Sequence, residues 1–197
     1  GSGKTTLLNL IGCVDTATTG SVTVDGHDTA TLSDRELTTL RLNTLGFIFQ
    51  AFNLVPVLSV FQNVEFPLLL QKKLDGPARK ARVDALLAKV GLDKHAAHRP
   101  SELSGGQRQR VAIARALVTA PKIVMADEPT ANLDSKTGDA IIDLMKEMNK
   151  SEKTTFIFST HDAKVMSHAD KVVRLVDGRI DGPAETPAQA LAKLGAH

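Results

Sequence analysis

The order of apolar segments predicts an α/β fold: a parallel sheet flanked by helices, with an all-helical subdomain inserted into it. Three observations lead there. Short runs at Phe47-Ile48-Phe49, Ile123-Val124-Met125-Ala126 and Thr155-Phe156-Ile157-Phe158 are too brief for helices and read as buried strands. Longer segments with helical character alternate with them. From Gln50 to Ser101 the chain offers helices and no convincing strand, so residues 51–101 are expected to form the inserted subdomain of a single domain spanning 1–197.

The elements follow in order. Gly3 to Ile11 reads as a helix after a glycine-lysine turn, and Ser21 to Val24 as a strand closed by Asp25-Gly26. Ser33, with Glu36 three residues on, forms a capping box for a helix reaching about Asn43. Ser59 to Val90 is helical, broken near Asp75-Gly76-Pro77 and stopped by Gly91. Gly106 to Val118 and Ser135 to Asn149 are further helices. Lys171 to Val176 reads as a last strand turning at Asp177-Gly178, and the Ala- and Pro-rich tail from Gly182 as a docked helix.

Bulk properties narrow the function. Of 197 residues, 42% are hydrophobic and 23% charged, which is ordinary globular composition. A net charge of +2 is too weak to indicate nucleic acid, and no nucleic-acid partner is expected. One cysteine, Cys13, allows no internal disulfide and fits a reducing cytosol. No apolar run approaches the roughly 18–20 residues that a membrane-spanning helix needs.

The chemistry-bearing residues fall at strand ends and helix starts. Gly1-Ser2-Gly3-Lys4-Thr5-Thr6 ends the pattern G-x-x-x-x-G-K-[ST], whose first glycine would precede residue 1. The sequence is therefore expected to begin inside the motif, downstream of the strand that delivers it. Backbone N–H groups of Gly1 to Thr6 can converge on the β-phosphate of a nucleoside triphosphate. Lys4 would bridge the β- and γ-phosphates, and the Thr5 hydroxyl would ligate Mg²⁺. Asp127 and Glu128 close an apolar strand, at the edge where ligands bind in open α/β sheets. Asp127 would hold Mg²⁺ through water, and Glu128 would act as general base on the attacking water. The alternative is a pair of acidic residues capping the next turn. Gln50, directly after a strand, can reach Mg²⁺ or that water. His161, after Thr155 to Thr160, could hydrogen-bond the γ-phosphate. His27, His95, His98, His168 and His197 read as structural or exposed, and no pair of them with Cys13 has zinc spacing.

Ser104-Gly105-Gly106-Gln107, preceded by Leu103, opens a helix whose first amides form a second anion site. It lies too far along the chain to duplicate the phosphate loop, so it is expected to act in trans, on ATP held by a second copy. Arg108, Arg110 and Arg115 are expected along the exposed or dimer-facing side of that helix. With Asp127-Glu128-Pro129-Thr130 and Asn132-Leu133-Asp134, these motifs resemble the nucleotide-binding subunits of ABC transporters. The resemblance runs through about Ile180. It implies a P-loop NTPase core, an ATP-sandwich dimer, Asp134 in a dimer-contact loop beside the nucleotide, Gln50 in the family's Q-loop and His161 as its switch histidine. It also implies an adenine-stacking aromatic upstream of the loop; the chain itself contains no Trp or Tyr. Gly46 to Gln50, Phe52 to Pro56, Asn63-Val64-Glu65 and Pro67-Leu68 are similar to the lipoprotein-release and macrolide-export group. That likeness implies an integral membrane permease as partner and a peripheral place on the cytoplasmic face of the inner membrane. A cell-division-type ATPase regulating a membrane partner, or a soluble ABC ATPase of DNA repair or translation, are the alternatives.

Overall fold

The computed structural model describes residues 2–194. It opens with α1 (Lys4–Ile11) and a hairpin of β1 (Thr23–Val24) and β2 (His27–Asp28), followed by α2 (Asp34–Thr44) and β3 (Leu45–Ile48). Helices α3 (Val60–Gln71), α4 (Gly76–Lys89) and α5 (Gly105–Leu117) come next, with short 3-10 turns at Asp93–His95 and Pro100–Glu102. Then follow β4 (Ile123–Asp127), α6 (Ser135–Glu152), β5 (Thr155–Ser159), α7 (Ala163–Ser167), β6 (Leu175–Val176), β7 (Arg179–Ile180) and α8 (Pro187–Leu194).

The central sheet has the order β3-β4-β5, all parallel. Leu45 pairs with Ile123 and Ile48 with Ala126; Ile123 pairs with Thr155 and Asp127 with Ser159. This register brings the carboxyl ends of all three strands to one edge. Gln50, Glu128 and His161, each just past a strand end, therefore emerge on the same side. The strand residues alternate between two cores, as the two-residue period of a strand requires. Val124 and Ala126 join Ile48 and the apolar faces of α3 to α6. Met125, with Leu45 on β3, joins Leu8 of α1, Val24 of β1 and Leu37 and Leu40 of α2. Val60, Val64, Leu68, Val83, Leu86 and Leu87 from α3 and α4 lie in the same cluster as Val124, so the helical stretch shares the sheet's core.

Local chemistry explains where the helices start. In α2, Ser33 Oγ accepts from the Glu36 amide, and Glu36 returns a carboxylate to the Ser33 N–H at 2.8 Å. The Ser33 hydroxyl and amide bonds hold the Glu36 carboxyl below its ordinary range. Ser59 with Gln62 builds the same box on α3, and Ser104 with Gln107 on α5. Asp75 caps α4, where Pro77 sits in the first turn.

An ion cluster ties α4 to the far end of the core. Glu152 of α6 accepts from Arg82 at 3.0 Å and Lys89 at 2.5 Å, and Arg82 also donates to the Leu117 and Val118 carbonyls. Burial pushes the Glu152 carboxyl up, but the Lys89 and Arg82 bonds outweigh it, and the group stays ionised below the usual glutamate range.

The structure departs from the sequence expectation at the edges. The strand expected at Lys171–Val176 is reduced to Leu175–Val176, which pairs antiparallel with β7 and lies outside the parallel sheet. Val172 is held instead by two backbone bonds to Glu185. The first strand shortens to two residues, β3 starts two residues earlier than its apolar run, and α6 continues to Glu152. Among the described residues no helix is long and apolar enough to cross a membrane.

Candidate active site

The phosphate-loop residues pack where β6 turns into β7. Gly3 has a left-handed φ of 87° as N-cap of α1, and the Ser2 carbonyl accepts from the Gly178 amide at 3.1 Å. Gly1 lies outside the described residues. Lys4 Nζ donates to Ser2 Oγ at 2.9 Å, so the ammonium folds over its own loop. Thr5 and Thr6 are exposed on the first turn of α1.

Across the gap stands the end of β4. Thr5 Oγ1 donates to Asp127 Oδ2 at 3.2 Å, joining two positions 122 residues apart. Glu128 follows with a left-handed φ of 45° and donates its amide to the Ser159 carbonyl. Its carboxylate is gripped from β5's end: Oε1 lies 2.7 Å from His161 Nδ1, and Oε2 accepts from Thr160 Oγ1 at 3.3 Å. An ionised carboxylate only accepts, so the shared proton belongs on Nδ1. The His161 side chain is otherwise 81% exposed, whereas that of Glu128 is 17% exposed. Glu128 is thus held inward while His161 faces solvent. Thr160 was not singled out in the sequence; its only signal there is its place within Ser-Thr-His-Asp.

Gln50 is exposed at the end of β3, and its carbonyl accepts from Asn132 Nδ2 at 2.7 Å. Asn132 belongs to the turn after Glu128, so the loops from two neighbouring strands are joined directly. Asp134 caps α6: its carboxylate accepts from the Thr137 amide at 3.0 Å and from Thr137 Oγ1 at 2.6 Å. The Thr137 hydroxyl and amide hold this carboxyl below its usual range.

Ser104 to Gln107 stand apart from that group, against the 132–137 segment and the Asp93–His95 turn. A Cβ on Gly106 would meet Thr137 Cγ2 at 2.5 Å, so only glycine lets α5 start this close to α6. Gln107 accepts from the Ser104 amide with Oε1, and its Nε2 sits 3.1 Å from His95 Nε2. His95, read from sequence as structural or exposed, therefore braces this helix start. The arginines of α5 also differ from expectation. Arg108 lies 5.5 Å over the Phe52 ring, Arg110 donates to the Val90 carbonyl, and Arg115 donates to the Phe52 and Asn53 carbonyls. Arg110 and Arg115 turn toward carbonyls that the irregular backbone leaves free, whereas Arg108 packs on a ring.

A cavity of about 870 Å³, with Lys4, Leu8, Phe156, Phe158, Thr160 and His161 among its walls, adjoins the site. It follows β5 from Thr155 to Ser159, so it is a trough along that strand's edge rather than a nucleotide-shaped pocket.

A lysine loop opening a helix, an aspartate facing its threonine, and a half-buried carboxylate one residue further define a P-loop nucleoside triphosphatase. The family model described as ABC transporter matches residues 1–131, and the chain belongs to that family. It is 45% identical over 184 residues to the uncharacterized ABC transporter ATP-binding protein MJ0796 of Methanocaldococcus jannaschii, spanning 92% of this chain and 78% of that protein. It is 44% identical to the macrolide export ATP-binding/permease protein MacB of Rhodopseudomonas palustris, covering 99% of this chain but only 30% of the relative's length. The dimeric MJ0796 cassette in a post-hydrolysis state bound to ADP and Pi superposes with a TM-score of 0.85 at 43% identity, covering 94% of this chain and 81% of that one. The chain is thus an ATP-binding cassette of the ABC type.

Proposed function

We propose that this cassette hydrolyses ATP between two copies of itself and so drives an export-type membrane permease. The observation that carries the reading is the cluster at one sheet edge: Thr5 against Asp127, and Glu128 between Thr160 and His161.

In this reading the γ-phosphate lies over the start of α1, whose free amides and positive helix end favour anions. Lys4 leaves Ser2 Oγ to bridge the β- and γ-phosphates. The Thr5 hydroxyl and the Asp127 carboxylate are both hard oxygen donors on one open face, the donor set that suits Mg²⁺ shared with phosphate oxygens. Bound there, Mg²⁺ would screen the charge on the phosphates. Glu128 accepts a proton from the attacking water as its oxygen bonds the γ-phosphorus and the bond to the β–γ bridging oxygen breaks, giving ADP and phosphate. Thr160 and His161 aim that carboxylate, and His161 senses the γ-phosphate. Gln50 orients the water or the metal. Ser104 to Gln107 present their amides to ATP held by the second copy.

Two findings support the assembly. The similar MJ0796 cassette is dimeric. MacB and the syringafactin exporter SyfD of Pseudomonas syringae carry cassette and permease in one protein, and this chain spans 27–30% of their length. A permease partner places the cassette on the cytoplasmic face of the inner membrane, with the apolar segment after Gln50 as contact. Phe52 and Leu58 are half-buried, and Phe52 is stacked under Arg108, whereas Val55, Val57, Phe66, Leu69 and Leu70 are exposed.

Replacing Glu128→Gln in the complete gene product tests the chemistry. The amide keeps size and a hydrogen-bond acceptor but is not a base, so kcat falls about 10²–10⁴-fold while ATP affinity is retained. Turnover near wild type would remove Glu128 from the role.

A further inference from the structure

The chain leaving β3 passes through two consecutive non-glycine residues in the left-handed region, Phe52 at φ 62° and Asn53 at φ 47°. A bulky residue such as phenylalanine seldom adopts that conformation unless its surroundings impose it. Here they do so from one helix. Arg115 of α5 donates from Nη1 to the Asn53 carbonyl at 2.5 Å and from Nη2 to the Phe52 carbonyl at 2.8 Å. Two turns earlier, the Arg108 guanidinium lies over the Phe52 ring. The loop's other side is held where Asn132 donates to the Gln50 carbonyl.

We infer that Arg115 is a positioning residue for Gln50: its fork holds the Phe52–Asn53 kink, and the kink fixes where Gln50 stands at the nucleotide. This rests on the role given above to Gln50. Arg115 lies on the helix that Ser104 opens, roughly 16 Å further along its axis at 1.5 Å per residue. A rigid α5 therefore connects the element that reaches a second copy's ATP to the loop that reaches its own. When α5 shifts, Arg115 carries the Gln50 loop with it. A planar five-donor fork suits two adjacent carbonyls; a lysine ammonium can satisfy them only as a point charge. Burial pushes the Arg115 guanidinium's pKa down, in keeping with a cation drawn inward for this contact.

The test compares Arg115→Gln, Arg115→Lys and Gln50→Ala in the complete gene product, measuring kcat and KM for ATP, thermal midpoint, and amide hydrogen exchange over 50–54. The inference predicts a kcat loss of about tenfold or more for Arg115→Gln, toward the ~10²-fold that a misplaced positioning group can cost. KM should change far less, Arg115→Lys should be intermediate, and exchange should rise at 50–54 while α5 stays protected. Unchanged kcat in Arg115→Gln, with Gln50→Ala impaired, overturns the inference alone. So does a loss of turnover that only tracks a lowered folded fraction at the assay temperature. Unchanged kcat in Gln50→Ala overturns the role of Gln50 and this inference with it.

Discussion

Gly106→Ala forces a methyl into occupied space, and the structure says which atom must yield. The new Cβ would stand 2.5 Å from Thr137 Cγ2, well inside ordinary van der Waals contact. Thr137 cannot rotate away freely, because its hydroxyl donates to Asp134 at 2.6 Å within the cap of α6. Either the cap bond breaks, at about 1 kcal/mol, or α5 backs off from α6 with an overpacking cost of about 1–3 kcal/mol. At roughly 2–4 °C per kcal/mol for a chain of this size, the thermal midpoint should fall by about 2–12 °C. Thr137→Ser deletes the clashing methyl and keeps the hydroxyl. Alone it should cost under about 1 kcal/mol, and combined with Gly106→Ala it should restore most of the loss. Thermal unfolding of the four proteins decides. A Gly106→Ala protein as stable as wild type, or strictly additive costs, would refute this packing account. If the double variant regains stability but stays slow, the remaining defect belongs to the approach of the Gly106 amide to phosphate.

Two other outcomes follow from the same geometry. Glu152→Gln should lower stability by about 1–3 kcal/mol at pH 7, as lost charge-assisted bonds do; because the folded carboxyl titrates below its unfolded value, this contribution is present above the ordinary glutamate range and vanishes as pH falls through the folded pKa. Urea midpoints of wild type and variant should therefore converge only as pH falls below the ordinary glutamate range and through the folded pKa, and a gap independent of pH would exclude ionisation as its source. Val57→Asp, at a residue 74% exposed, should abolish copurification with a permease partner and leave the cassette's own ATP turnover intact; retained copurification would place the contact elsewhere.

Local signals were legible in the sequence and non-local ones were not. The Ser33–Glu36 box and the strands at 123–126 and 155–158 stand where pattern and capping chemistry place them. The meeting of Thr5 and Asp127 could be anticipated only because motifs name both, since no periodicity links residues so far apart. Val172 to Val176 is apolar apart from Arg174, yet pairing decides strands, and its partners are Glu185 and β7. Arg115, on a helix pattern alone, reads as a solvent-facing cation. Its inward turn depends on the Phe52–Asn53 kink, which contains neither glycine nor proline to announce it. Asn132 and Thr160 are small polar residues in loops, where sequence offers no means of telling a clamp from a solvated side chain.

Completion of one copy's ATP site by Ser104 to Gln107 of the other is the expected arrangement. Size exclusion of the Glu128→Gln protein with Mg²⁺-ATP, with and without Ser104→Arg, tests it most directly. An ATP-dependent dimer is expected for Glu128→Gln, and a monomer that still binds ATP once Ser104→Arg is added. A Glu128→Gln protein that stays monomeric with ATP bound, or a dimer indifferent to Ser104→Arg, would contradict it.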